Sequence, residues 1–333
     1  MSAAGTGRPV GVRDVARLAG VSTQTVSRVI NDHPGIREET RLRVREAVAS
    51  LGYRVNNAAR ALGTRRTRTL GVIASDATLY GPSAAIAALE AAARAAGLWI
   101  ATAYADASAE ASADEAAEHL LAQGVDGLIV VAPHAGTVEA LDRRDLAVPI
   151  VAMHSGLGAE RQADGAALAV AHLAALGHRR IARLGGPADW TEERARASGF
   201  DRAIAQHDLV VTDRWEGDWS AGAGERTAVA AARAVTRPGG PTAIAVANDQ
   251  MALGLIAGLS AAGVEVPAHV SVTGFDDNPD AAYYRPALTT VRLDLAGEAA
   301  RCVAEAAPAT ERPAPAVPAP PRLIPRASTA PPA

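Results

Sequence analysis

Lysine is absent from the chain. All 33 basic residues are arginine, and beside the abundance of Ala, Gly and Pro this reflects a GC-rich genome more than function. Cysteine occurs once, at Cys302, which excludes a disulfide framework and a Cys-based zinc site. Aromatics amount to only 3%, so Ala, Val, Leu and Ile must fill the core that a 49% hydrophobic content allows. No apolar run approaches the roughly 20 residues of a membrane span, and Met1–Pro9 lacks the hydrophobic stretch of a signal peptide. A cytoplasmic protein without membrane contact is expected. Catalytic signatures are also missing. There is no P-loop, no GxSxG elbow, no HExxH, and no GxGxxG after the first expected strand. These absences speak against an enzyme, and neither a cofactor nor a metal is expected.

What is present is unevenly spread. The net charge is −3, yet residues 1–68 hold thirteen arginines against five acids, about +8, which leaves about −11 on the remainder. A basic head on an acidic body is the footprint of a polyanion partner read by one end. At 333 residues the chain exceeds one ordinary core, so a small domain plus a larger, bilobed one is the default.

Within the basic head, Val12, Val15, Ala16 and Ala19 have the spacing of one helix face. Gly20 supplies the turn, and Ser22 is a good N-cap for a second helix buried through Val26, Val29 and Ile30. Its opposite face carries Thr23, Gln24, Thr25, Ser27, Arg28 and Asn31, all hydrogen-bonding and none acidic. This suits a helix-turn-helix that sets side chains on major-groove base edges, with Arg28 the best candidate for a bidentate guanine contact. An ordinary αα-hairpin with a polar outer face fits the pattern equally well. A third amphipathic helix is expected over Arg37–Leu51, packed through Leu42, Val44, Val48 and Leu51 and ended by Gly52.

Three motifs in order, DVARLAGVSTQTVSRVIN, ETRLRVREAVASLGYRVN and ARAL…RTRTLGV, resemble the headpiece and hinge of the lactose-repressor family of bacterial transcription regulators. By itself Asn56–Gly63 reads as a flexible linker. The resemblance implies instead a hinge helix that forms on DNA and wedges Leu62 into the minor groove, with Asn56 and Ser22 also at the DNA. Two positions depart from the pattern: Val55 stands where the family commonly has proline, and Gly11 replaces a helix-starting Thr or Ser.

From Thr69 the pattern becomes βα alternation. Strands are expected at Leu70–Ser75, Leu98–Tyr104, Gly127–Ala132, Ile150–His154, Arg180–Gly185, Ala243–Asn248 and Val270–Phe275. Most are continuous apolar runs, as buried parallel strands should be. Helical stretches lie between them, at Ser83–Ala96, Ala111–Gln123, Ala163–Leu176, Glu192–Gln206 and Gln250–Ala262, several stopping at glycine (Gly97, Gly124, Gly177, Gly263). The fold expected is α/β: a three-helix headpiece plus two doubly wound parallel sheets, similar to the bilobed periplasmic sugar-binding proteins. The division is a disordered lead at 1–9, the headpiece at 10–53, and hinge and linker at 54–68. A core at 69–329 follows, with lobes of about 69–160 plus 294–307 and 161–293 plus 322–329, and a tail at 330–333. Ala307–Pro321 is Pro/Ala-rich and expected to be extended or disordered. Nothing after Arg322–Thr329 has the heptads or length of a tetramerising helix, so a homodimer is expected.

Ligands of open α/β sheets sit at the carboxyl ends of strands. Ser75 ends the first strand and is followed by Asp76, Leu79 and Pro82. His154 ends the fourth, and Arg196 lies in the helix after GGPADW. Asn248, Asp249, Asp276 and Asp277 end two later strands, and Trp219 sits in GDWSAGAG as an exposed aromatic on the rim. Planar polar groups and an aromatic face suit a sugar. Taken singly, Asp249 and Asp277 could be helix caps, Arg196 half of a surface ion pair, and Trp219 core. GDWSA, PTAIAVANDQMALG and VSVTGFDD…YYRPALTTVRLD resemble the core of a galactoside-responsive member of that family, and the resemblance implies ligand contacts by Leu79, Pro82, Arg196, Trp219, Asn248 and Asp276. Val131, His154, Glu192 and Leu293 stand where that relative has Asn, Asp, Ser and Gln. The expectation is a repressor of a palindromic operator released by a small sugar, a galactoside foremost. The alternatives are a co-repressed or purine-responsive regulator of the same fold and, in another class, a solute receptor, which would need a signal peptide.

Overall fold

The computed structural model describes residues 10–30, 33–53, 66–75, 78–105, 110–131, 134–144, 146–309 and 312–332. The lead at 1–9, Asn31, and most of the hinge, with Asn56 and Leu62, lie outside the described residues. The chain divides into two compact units, Met1–Thr67 and Arg68–Ala333.

In the first unit, α1 (Val12–Ala19), α2 (Thr23–Ile30) and α3 (Glu38–Leu51) close on Val15, Ala16, Ala19, Val26, Val29, Val44 and Ala47. Gly20 (φ 65°) and Gly52 (φ 60°) take the left-handed turn after α1 and α3. At the start of α1 the Asp14 carboxylate accepts the Gly11 N–H at 3.0 Å, one half of a capping box that needs no side chain at Gly11. Ser22 Oγ accepts the Thr25 N–H at 3.1 Å and so caps α2. Leu42 is 52% exposed and does not pack as expected. Two residues from Val44 is about 200° around a helix, so Leu42 faces away from the stripe that Val44, Ala47, Val48 and Leu51 form.

The second unit holds two parallel sheets. The first contains β1 (Thr69–Ala74), β2 (Trp99–Tyr104), β3 (Gly127–Val131) and β4 (Ile150–Ala152), in the order β2-β1-β3-β4. The second contains β5 (Arg180–Gly185), β6 (Val210–Glu216), β7 (Ala243–Val246) and β8 (Ser271–Thr273), in the order β6-β5-β7-β8. Helices α4 (Tyr80–Ala95), α5 (Glu110–Ala122) and α6 (Ala135–Asp142) belong to the first lobe. Helices α7 (Leu157–Ala175), α8 (Thr191–Gln206), α9 (Ala221–Thr236) and α10 (Asp249–Ala261) belong to the second. β6, α6 and α9 are additions to the expected set. β6 is an edge strand whose VVTDRWE alternates toward solvent, so it shows no continuous apolar run.

Helix α11 (Leu295–Ala306) returns to the first lobe and packs on α4, β3 and β4. Gly127 opens β3 where a methyl group would strike the Ala306 carbonyl, so the crossover helix can lie directly on the sheet. An antiparallel pair, β9 (Thr290–Arg292) and β10 (Arg322–Ile324), closes the second lobe. The described part of the Pro/Ala-rich stretch has no helix or strand but is held in place. Pro318 is buried, and the Ala319 N–H donates to Asp294 Oδ2 at 2.9 Å. The expected tail also belongs to the lobe. The Ala330 N–H donates to Ser271 Oγ at 3.0 Å, and its carbonyl accepts from that hydroxyl, also at 3.0 Å.

Candidate functional site

Two surfaces combine polar groups in the manner a ligand requires. The first is the outer face of α2. Ser22, Thr23, Gln24, Ser27 and Arg28 are exposed and Thr25 is half-buried. Ser22 and Thr25 share a hydroxyl contact of 2.9 Å while Ser22 caps the helix, so both belong to the helix start. Thr23, Gln24, Ser27 and Arg28 are left as the outward set, one turn apart, on a helix held by the Val26 and Val29 stripe.

The second is a cavity between the lobes of the core, about 660 Å³ with its mouth included. Leu79, Pro82, His154, Arg196, Trp219, Asn248 and Asp276 all line it; Ser75 does not. Val131, Glu192 and Leu293, the other departures from the relative's pattern, line it too. Tyr80, Gln162, Trp190, Gln250 and Leu295 complete much of the wall and were not expected. Trp190 follows the GGP turn at the carboxyl end of β5, where the strand-end rule could have found it. Gln162 sits inside helix α7 and has no such signal.

Arg196 organises the polar wall. Its Nη2 donates to Asp276 Oδ1 at 3.0 Å, its Nε to Gln162 Oε1 at 2.8 Å, and its Nη1 to the Ala247 carbonyl. The guanidinium lies 4.0 Å from the Phe275 ring centroid. Trp219 is 5% exposed, so the expected rim aromatic is in fact buried. Its backbone (φ 72°) turns the indole inward, where Trp190 meets it edge-on at 5.7 Å and Gly186 leaves room for the ring. Asn248 holds this loop, accepting the Met251 N–H at 2.8 Å and donating to the Trp219 carbonyl at 3.0 Å. Asp249 is no helix cap; it accepts the Asn278 N–H at 2.7 Å and the Thr290 hydroxyl at 2.5 Å. Asp277 pairs with Arg292 and Arg326.

Burial sets the electrostatics. It pushes the Glu192 carboxyl up to about 7, partly offset by its own N–H, Arg196 and the Thr191 hydroxyl. It pushes His154 down to about 4, against the opposing pull of Glu298. Asp276 is also raised by burial, less so because of Arg196. Two fully buried donors in the cavity, Gln162 Nε2 and Trp219 Nε1, have no hydrogen-bond partner among the described residues. Such orphans are rare in native structures and mark where a ligand atom or water belongs. Contacts also cross the cleft: the Tyr80 N–H donates to Gln250 Oε1 at 3.0 Å, His134 Nδ1 lies 2.9 Å from Asp189, and the His134 ring meets Trp190 at 4.8 Å. Among the described residues no group of His, Cys, Asp and Glu is placed to hold a metal ion. No described helix is long and apolar enough to cross a membrane.

Comparison with known proteins bears on the family and the fold. Residues 12–56 match the model of the lacI family of bacterial regulatory proteins, and residues 170–329 a periplasmic binding protein-like domain. The lactose operon repressor of Escherichia coli is 36% identical over 304 residues, covering 86% of this chain and 81% of the relative. The HTH-type transcriptional repressor PurR of Vibrio cholerae is 34% identical over 291 residues, covering 84% of this chain and 85% of the relative. The crystal structure of the Lac repressor dimer bound to operator and the anti-inducer ONPF superposes with a TM-score of 0.78 at 30% identity, over 97% of this chain and 100% of that one. This chain belongs to the lacI family of bacterial regulatory proteins.

Proposed function

We propose that this chain is a cytoplasmic, homodimeric repressor that leaves a palindromic operator when a small galactoside binds between its lobes. The observation that carries the reading is the convergence of Arg196, Asp276, Asn248 and Trp219 on one inter-lobe cavity that also holds two unpartnered donors. Polar groups in fixed pairs bind hydroxyls, and the indoles offer an apolar face to a pyranose ring. The sugar touches both lobes, so it favours one lobe arrangement, and that arrangement must disfavour paired hinges on DNA. Leu62 and Asn56 act at the hinge in this scheme. Coupling of ~1–3 kcal/mol corresponds to roughly 5–150-fold in operator affinity.

The test joins the two surfaces. Tryptophan fluorescence is read against galactosides, glucosides, free hexoses, phosphorylated sugars and purines, with operator release followed in parallel. A galactoside is expected to shift the signal and release the DNA. A response to purines or phosphorylated sugars alone overturns the reading. Arg28→Ala should lower specific binding by about 1–3 kcal/mol and leave binding to random duplex nearly unchanged.

A further inference from the structure

Glu192 sits at the second position of α8, one turn before Arg196, and its carboxyl lines the cavity at only 7% exposure. Two donors reach it, both from its own turn: the Thr191 hydroxyl at 3.1 Å and its own N–H. No basic side chain of the described residues comes within ion-pair distance. Arg196 is committed to Asp276, Gln162 and the Ala247 carbonyl. His154, from the end of β4, is held neutral by burial, and its neighbour Glu298 is paired with Arg301 at 2.7 Å. Tyr80, from the start of α4, is raised by burial and by Asp276 and so carries no charge of either sign. With Arg196 and Asp276 cancelling, the cavity wall has one carboxyl without a counter-charge.

A buried carboxyl in that position either keeps a proton or receives a cation. Nearby, Gln162 Nε2 and Trp219 Nε1 are donors without acceptors. The cavity is therefore complementary to a ligand that brings both acceptor oxygens and one positive group. The geometry points to an amino sugar as the effector, a hexopyranoside whose protonated amine pairs with Glu192 while its oxygens accept from Gln162 and Trp219. This rests on the sugar reading above and narrows it. Below about pH 7 the carboxyl holds a proton, so the incoming ammonium forms the ion pair and the displaced proton passes to solvent.

The full-length protein is titrated by tryptophan fluorescence and calorimetry with methyl β-galactoside, its 2-amino-2-deoxy and 6-amino-6-deoxy counterparts, and the N-acetyl form of each amine. At pH 7.5 one amine is expected to bind at least tenfold more tightly than both the parent and its N-acetyl form. That preference should shrink roughly tenfold or more by pH 5.5, with proton release visible as a buffer-dependent heat. Glu192→Gln should abolish the preference and the proton release, and Glu192→Asp, which keeps the charge, should retain part of both. The unfolding midpoint of each variant reports whether it is folded. If the neutral probes bind and the amines gain nothing, or if Glu192→Gln keeps the preference, the amino-sugar inference is overturned and the sugar reading stands. If no probe binds, amine or neutral, both fall together.

Discussion

The two lobes of the core share a strand order and lend the cavity opposite chemistry. The first lobe presents Leu79, Pro82, Ala85 and Val131, with His154 held neutral at its edge. The second presents Gln162, Glu192, Arg196, Asn248 and Asp276 around the two indoles. Identical topology, 2-1-3-4 in each sheet, brings the strand ends to the same cleft; the residues at those ends decide what each wall does. On the proposed reading, one wall would orient a ligand through hydrogen bonds and charge, and the other would offer it apolar surface. A ligand held by both is what lets binding choose between lobe arrangements.

The largest expected effect breaks the polar wall. Arg196→Ala leaves Asp276 buried without its partner and should cost about 3–5 kcal/mol in urea unfolding. Val131→Ala on the apolar wall removes two methyl groups and should cost only about 1–2 kcal/mol. Equal losses would mean that the two walls are energetically alike.

Glu192 sharpens the comparison through pH. Its carboxyl stands at about 7 in the folded protein against an ordinary 4.5, so the native state binds the proton more tightly. Stability should therefore fall as pH rises from about 4.5, the loss being complete above about pH 7 and amounting to about 3 kcal/mol at most. Glu192→Gln should match the parent near pH 4 and exceed it at pH 8. Unfolding midpoints across that range check the sign, and a variant less stable at pH 8 contradicts it.

A smaller effect is expected at Trp219. Trp219→Phe keeps an apolar ring but removes the unpartnered Nε1, so sugar affinity should drop roughly tenfold, about 1.4 kcal/mol. Calorimetry reads this directly, since the variant loses part of the fluorescence signal. Smallest is the cross-cleft bond: Gln250→Ala frees the Tyr80 N–H and should weaken sugar binding by about 0.5–1.5 kcal/mol, with faster amide exchange at Tyr80.

The helices of the head and the buried strands are legible because each repeats a short local pattern. Val15, Ala16 and Ala19 recur on one helix face, and β1 and β3 are unbroken apolar runs. At a sheet edge, or beside an apolar stripe, the signal fails. The edge strand β6 carries Asp213, Arg214 and Glu216 and so shows no apolar run, and Leu42 lies off the α3 stripe because neighbours in sequence need not share a helix face. At the site, strand-end position and family likeness together named Arg196, Trp219, Asn248 and Asp276, and strand-end position also named Ser75, which lies outside the cavity.

The division into a basic head and an acidic bilobed core, the turns at Gly20 and Gly52, and the absence of disulfides are all legible before any fold is known. These depend on composition and on residues within one or two turns of each other. It is the packing of the lobes that buries Trp219, brings Gln162 to Arg196 across 34 residues and Arg196 to Asp276 across 80, and leaves Glu192 without a counter-charge among the described residues. The physical reason is that burial and pairing are properties of the packed lobes. A side chain's charge state and free hydrogen bonds are set by whichever distant segments the sheets bring against it, and no local pattern records them.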